Sequence, residues 1–274
     1  MPEPWQMALL ALTGLLGGLA GGFLGIGGTV VFMPLMKIIC DANPATRLDP
    51  HTAIAATLVL NVCVGASSTV SHLRAGRIMP DIVKVLVPFS IALSVVGVAV
   101  GNLLTGARDV WLWRMFGVLM IYVVAINAYR LFRPLAPSDA ETGDIVGPPP
   151  KRSRVALVGM LTGFASGLLG IGGGAIAVPA QQVLLRMRLR PAIANSAVTV
   201  MFSCLLSAVY KHATLSSHGV AASAPWVYVG LLAPTAILGG FVGARLTHRV
   251  GRTWVRLAFI AFMAWTAYEM LTAK

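Results

Sequence analysis

Long apolar stretches without charge dominate the chain. No Asp, Glu, Lys or Arg falls between Glu3 and Lys37, between Asp49 and Arg74, between Lys84 and Arg108, or between Arg154 and Arg186. About 20 apolar residues in a helix cross a hydrocarbon core roughly 30 Å thick, so each stretch is long enough for at least one span. The pattern predicts an all-α polytopic membrane protein.

The chain contains one pattern twice. Residues 14–34 (GLLGGLAGGFLGIGGTVVFMP) match residues 159–179 (GMLTGFASGLLGIGGGAIAVP) at a constant offset of 145, and the GVAVG of 97–101 matches the GGFVG of 239–243. Internal repeats of this kind are common in secondary transporters. We therefore divide the chain into a first membrane repeat, a Pro-rich cytoplasmic linker and a second membrane repeat, at 1–132, 133–153 and 154–274.

Each repeat is predicted to hold one Gly-interrupted helical element followed by three transmembrane helices. The predicted elements are 7–39, 51–73, 80–105 and 110–132 in the first repeat, and 154–186, 191–213, 223–247 and 253–272 in the second. The third element of each repeat carries GxxxG, a spacing that lets helix backbones approach closely.

Basic residues favour a hairpin over a single crossing for the interrupted elements. If each turns back at its glycines, the repeats are inverted and 15 of the 21 Lys and Arg residues share one side with the linker. A single crossing would scatter them over both faces, against the positive-inside rule. The hairpin model places both termini outside the cytoplasm. It leaves two counts open, ten spans or six spans plus two re-entrant hairpins.

Composition narrows the classes of function. The chain is 57% hydrophobic and 11% charged, and its net charge of +12 is explained by basic cytoplasmic loops without nucleic acid. It has no HExxH, no CxxC, no paired intramembrane carboxylates and no phosphate-binding loop, so we expect no catalytic residue, metal or cofactor. The first apolar stretch is preceded by the acidic Glu3 and not by basic residues, so we expect it to belong to the mature protein and not to a cleaved signal peptide.

The glycine runs are the candidate site. Glycine in a helix interior costs about 1 kcal/mol relative to alanine, so each run predicts a break, with a new helix beginning near Thr29 or Ala175. The free N–H groups and the positive dipole at such helix starts favour anions. The alternative is that the glycines only permit tight packing. The backbone part of this candidate site is Gly25, Gly27, Gly28, Gly170, Gly172, Gly173 and Gly174.

Polar side chains near the breaks are the remaining candidates, although each could equally form an interhelical hydrogen bond. They are Thr29, Thr57, Asn61, Gln181, Asn195 and Ser196, with Thr52, Thr199 and Gln182 nearby. Lys37 is expected to extend to the outer interface, and His51 and His72 are expected to be interfacial because they lie at the ends of predicted spans.

The paired GIGG…P segments, Gly25–Gly28 with Pro34 and Gly170–Gly173 with Pro179, resemble the sulfite exporter TauE/SafE family. The resemblance extends over nearly the whole chain; Thr29 in the first copy stands where the second has Gly174. It implies a bacterial inner-membrane transporter of a small anion such as sulfite or an organosulfonate, usually an exporter. The sequence leaves open whether protons drive it, and a passive anion channel of the same architecture is the alternative.

Overall fold

The computed structural model describes residues 2–25, 27–104, 108, 110–132, 145, 149–246 and 252–272. Of residues 45, 130–132 and 252–259 only the backbone is described. Within these ranges the chain is all-helical and contains no β-strand, as predicted. Ten α-helices are described: α1 Pro4–Leu24, α2 Thr29–Asp41, α3 Pro50–Arg74, α4 Pro80–Asn102, α5 Val110–Phe132, α6 Arg152–Leu169, α7 Gly174–Leu184, α8 Leu189–Ala213, α9 Ala224–Leu246 and α10 Arg252–Leu271.

Six of the described helices are long and apolar enough to cross a membrane. They are α1, α3, α4, α5, α8 and α9. By contrast, α2 has 13 residues and α7 has 11, which at 1.5 Å per residue gives lengths of about 20 and 16 Å. These two helices are shorter than the thickness of the hydrocarbon core. Each of the predicted elements 7–39 and 154–186 therefore consists of one longer helix and one short helix.

The short helix α2 turns back along α1. Near the open end of this hairpin, Gln6 Nε2 donates a hydrogen bond of 2.9 Å to the Ile39 carbonyl. At the closed end, a Cβ placed on Gly21 would lie 2.9 Å from the Gly28 nitrogen. The glycine run therefore separates two antiparallel helices and does not lie within one continuous span.

The first helix of each half packs in parallel against a helix of the other half. A Cβ on Gly18 of α1 would lie 2.2 Å from the Ala236 carbonyl oxygen of α9, and one on Gly163 of α6 would lie 2.0 Å from the Ser90 oxygen of α4. Only a residue without a side chain allows such an approach. The two halves are thus interlocked, since α1 lies on α9 and α6 lies on α4.

At the centre of the bundle α3 crosses α8, and the two helices run antiparallel. Gly65 of α3 contacts Met201 of α8 near the crossing point, and the beginning of α3 meets the end of α8, where Lys211 Nζ lies 2.7 Å from His51 Nδ1. Both helices are more deeply buried than the other spans. Because α2 and α7 also pack on them, α3 and α8 hold the two helix breaks in place.

Candidate functional site

Both helix breaks have a backbone that requires glycine. In the first, Gly25 and Gly27 have φ of +66° and +80°; in the second, Gly170, Gly172 and Gly173 have φ of +66°, +70° and +71°. A Cβ disfavours this left-handed region, which glycine adopts freely. The glycines therefore end α1 and α6 and allow α2 and α7 to begin at Thr29 and Gly174; Ile26 lies outside the described residues.

The two breaks come from opposite halves of the chain and contact each other. A Cβ on Gly27 would lie 2.8 Å from the Ile171 carbonyl oxygen, and a Cβ on Gly172 would lie 3.0 Å from the side chain of Asn61. Thus Gly27 packs against the second break, and Asn61 of α3 lies beside both.

Asn61 bonds to both breaks. Its Oδ1 accepts a hydrogen bond of 3.1 Å from the Gly28 N–H, and its Nδ2 donates at 3.0 Å to the Gly170 carbonyl and also to Thr29 Oγ1. The Thr29 hydroxyl in turn donates to the same Gly170 carbonyl at 2.8 Å. Asn61 and Thr29 are fully buried. One carboxamide thus satisfies a helix-start N–H of the first half and a helix-end carbonyl of the second, groups that a bilayer would otherwise leave unpaired.

Ser196 makes the corresponding link in the other direction. Its hydroxyl donates at 2.9 Å to the Gly25 carbonyl, so α8 of the second half contacts the break of the first. Its repeat equivalent, Thr57, donates to the Ala53 carbonyl of its own helix at 2.9 Å but also lies beside Gly170. The two sides of the site differ because Gly174 and Val200 stand where the first half has Thr29 and Asn61.

Two candidate side chains point away from this network. Asn195 Oδ1 accepts the Met79 N–H at 2.9 Å, at the start of α4. Gln181 Nε2 donates to the Ala192 carbonyl at 3.3 Å, about two turns into α7. Both are fully buried. The structure therefore places Gly25, Gly27, Gly28, Thr29, Thr57, Asn61, Gly170, Gly172, Gly173, Gly174 and Ser196 at the breaks, and Asn195 and Gln181 outside the hydrogen-bond network that joins them.

Lys37, expected at the outer interface, is buried. It forms an ion pair with Asp41 one turn on, and its Nζ lies 4.9 Å from the centre of the Trp113 ring. These contacts compensate part of the cost of burying the charge and tie α2 to α5.

A second polar cluster was not predicted from the sequence. His51, expected at the interface, is 1% exposed and contacts Lys211 of α8, which is 2% exposed. His72, also expected to be interfacial, is buried as well. A lysine in the last turn of an apolar helix is ordinarily attributed to the interface, so only the crossing of α3 and α8 reveals this pair.

A multi-pass helical membrane protein whose two helix breaks meet inside the bundle has the organisation of a membrane transporter. The chain belongs to the sulfite exporter TauE/SafE family, whose model matches residues 10–270.

Relatives with curated names support the same class. The chain is 28% identical to the probable membrane transporter protein YunE of Bacillus subtilis, over 89% of this chain and 90% of that protein. It is 26% identical to a probable membrane transporter protein of Xylella fastidiosa, over 94% and 95% of the two chains. It also matches the probable membrane transporter protein MamO of Magnetospirillum gryphiswaldense at 27% identity, over 96% of this chain but 44% of MamO. No solved structure matches the chain significantly.

Proposed function

We propose that the protein is a secondary transporter that exports a small sulfur-containing anion, such as sulfite or an organosulfonate, by alternating access around the two helix breaks. The observation that carries this proposal is the contact of both breaks through Asn61, which bonds Gly28 of one half and Gly170 of the other. A movement of one half against the other must break these bonds. The same movement would expose the polar groups to a substrate.

The chemistry of the breaks suits an anion with several oxygens. The Gly28 N–H at the start of α2 already donates to an oxygen outside its own helix, Asn61 Oδ1, and a sulfite or sulfonate oxygen could accept the same hydrogen bond with the added attraction of its negative charge. Thr29 Oγ1 and Asn61 Nδ2 would supply further donors, and the dipoles of α2 and α7 favour negative charge at their N-terminal ends. No buried arginine is needed.

The antiparallel crossing of the equivalent helices α3 and α8 supports an inverted relationship between the repeats. Inversion is the arrangement in which two halves can exchange conformations, so that the site opens first to one side and then to the other. The distribution of basic residues supports an inner-membrane orientation with both termini outside and the linker in the cytoplasm.

Burial favours a transporter over an open channel. Thr29, Thr57, Asn61 and Ser196 are all fully buried, so this conformation closes the breaks from both sides. A transporter passes through such an occluded state, whereas a conducting pore requires a continuous wet path.

Flux into proteoliposomes tests the proposal. Labelled sulfite, sulfoacetate and taurine are offered separately, with and without a proton gradient. Saturable flux that an unlabelled anion inhibits by competition supports a transporter and identifies its substrate, and flux that rises linearly with concentration indicates the passive channel. No flux of any of the three would contradict the assignment to sulfur-containing anions.

A further inference from the structure

The second polar cluster lies at one end of the α3–α8 pair, away from the breaks. Lys211 Nζ lies 2.7 Å from His51 Nδ1 and 2.6 Å from Asn102 Oδ1 at the end of α4. His51 Nε2 lies 2.9 Å from the Leu104 carbonyl, and His218 stacks on the His51 ring with centroids 4.0 Å apart. In the orientation proposed above, this end faces the outside of the cell.

These contacts restrict the protonation states open to the closed pair. A carbonyl oxygen only accepts, so His51 Nε2 carries a hydrogen and donates it to Leu104. In a neutral imidazole the other nitrogen, Nδ1, is then an acceptor, and the Lys211 ammonium donates to it. With Lys211 protonated, the closed pair holds one positive charge, shared across a hydrogen bond that joins α3 to α8.

A second proton is incompatible with this bond. It would place a hydrogen on His51 Nδ1, so that both facing groups become donors and carry like charges at hydrogen-bond distance. Because both side chains are buried, the second proton enters only when this end of the helix pair separates. By linkage, acid then favours the separated state.

We propose that Lys211 and His51 form a proton-binding latch, in which the singly charged pair holds α3 against α8 and a second proton releases them. The role of the latch in coupling transport to protons rests on the proposed function above; the latch itself does not. Among the described residues, the titratable groups near the pair include His218, stacked on His51, and Asp49, whose carboxylate accepts the Thr52 N–H at the start of α3. His212, the next residue of α8, packs near Trp226.

Cysteine accessibility in proteoliposomes tests the latch without requiring flux. In a chain with Cys40, Cys63 and Cys204 replaced by alanine, Ser207→Cys places a thiol at a buried position one turn before Lys211. The rate at which this thiol reacts with a membrane-impermeant methanethiosulfonate is measured at each pH. It is divided by the rate for the exposed Ser216→Cys at the same pH, which corrects for thiol ionisation. We expect the ratio to rise by about fivefold or more between pH 8 and pH 5.5.

Two variants and one control make the test specific. In His51→Gln the amide oxygen still accepts a hydrogen bond from Lys211 but binds no proton. In Lys211→Gln the new amide can pair with the His51 imidazole whether that ring is neutral or protonated. The reaction-rate ratio should therefore be independent of pH in each variant. His212→Gln, at the neighbouring position, should keep the pH response. A ratio that is independent of pH in the protein with native His51 and Lys211 would overturn the latch. So would a ratio that stays pH-dependent in both His51→Gln and Lys211→Gln. A pH-dependent ratio in a protein without flux would keep the latch and reject the proposed transport.

Discussion

At the scale of single residues, the centre of the molecule is a carboxamide shared by two interrupted helices. Asn61 has three hydrogen-bond partners at the breaks, on Gly28, Thr29 and Gly170. The composition of the glycine runs and the polar positions of the second helix were enough to select these residues. The directions of Asn195 and Gln181 were not predictable from the sequence, because they depend on where α4 and α7 lie against α8.

Replacing Asn61 by leucine should lower both stability and transport. The change removes the acceptor of the Gly28 N–H and leaves the Gly170 carbonyl with the Thr29 hydroxyl as its remaining donor. We expect a loss of about 1–2 kcal/mol in the free energy of unfolding and at least about a tenfold loss of flux. Thermal unfolding in detergent and proteoliposome flux measure the two effects. The control is Asn127→Leu, since Asn127 donates to the Val123 carbonyl of its own helix; equal losses in both variants would remove the special role of Asn61.

Alanine at Gly27 should impair transport more than alanine at Gly76. Both glycines have positive φ, +80° and +62°, so both substitutions carry a similar backbone strain of about 1–2 kcal/mol. Only Gly27 is crowded, with the Ile171 carbonyl oxygen 2.8 Å from the added Cβ, whereas Gly76 has nothing within 4 Å. We expect flux to be abolished in Gly27→Ala and retained in Gly76→Ala, with both proteins inserted; retained flux in both would exclude the breaks from the mechanism.

At the scale of elements, the sequence located the helix breaks closely but did not reveal the lengths or partners of the helices around them. The predicted starts near Thr29 and Ala175 agree with α2 and α7, which begin at Thr29 and Gly174. The uncharged stretch continues to Lys37, which is itself buried, so charge could not show that α2 is a short arm. Small residues predict close helix packing but do not identify the partner helix. The pairing of α1 with α9 is visible only in the structure.

The two glycine-lined helix pairs should respond alike to alanine. A Cβ on Gly18 or Gly163 would meet a backbone oxygen of the parallel helix at 2.2 or 2.0 Å, so each variant must push two helices apart and should lower the melting temperature in detergent. Gly230→Ala is the control, because that glycine has open space and alanine favours the helix by about 1 kcal/mol. A melting temperature unchanged in Gly18→Ala and Gly163→Ala would show that this packing contributes little.

At the scale of the whole molecule, the two halves share one core. The first helix of each half packs on the other half, and α3 and α8 cross at the centre. In the mechanism proposed above, a movement of one half against the other would expose the buried contact between the breaks. His51 and Lys211 are 160 positions apart, so no local pattern of the sequence could bring them together.

The proposed orientation predicts which loops face each side. The loop after α3 is flanked by Arg74 and Arg77, whereas the loop after α8, up to the start of α9, contains no Lys or Arg. Exposed Ala75→Cys should therefore react with an impermeant thiol reagent only from the cytoplasmic side, and exposed Ser216→Cys only from outside. Reaction of both from the same side would contradict the orientation.

The most direct test of transport through the helix breaks is counterflow in proteoliposomes loaded with unlabelled substrate anion. We expect a transient accumulation of the labelled anion above equilibrium with the wild-type protein and with Gly230→Ala, because a site that alternates between sides exchanges one anion for another. We expect no accumulation with Gly27→Ala or Gly172→Ala, which crowd the two breaks. Equilibration without accumulation in the wild type, or full accumulation in both break variants, would contradict a transport site built from the two helix breaks.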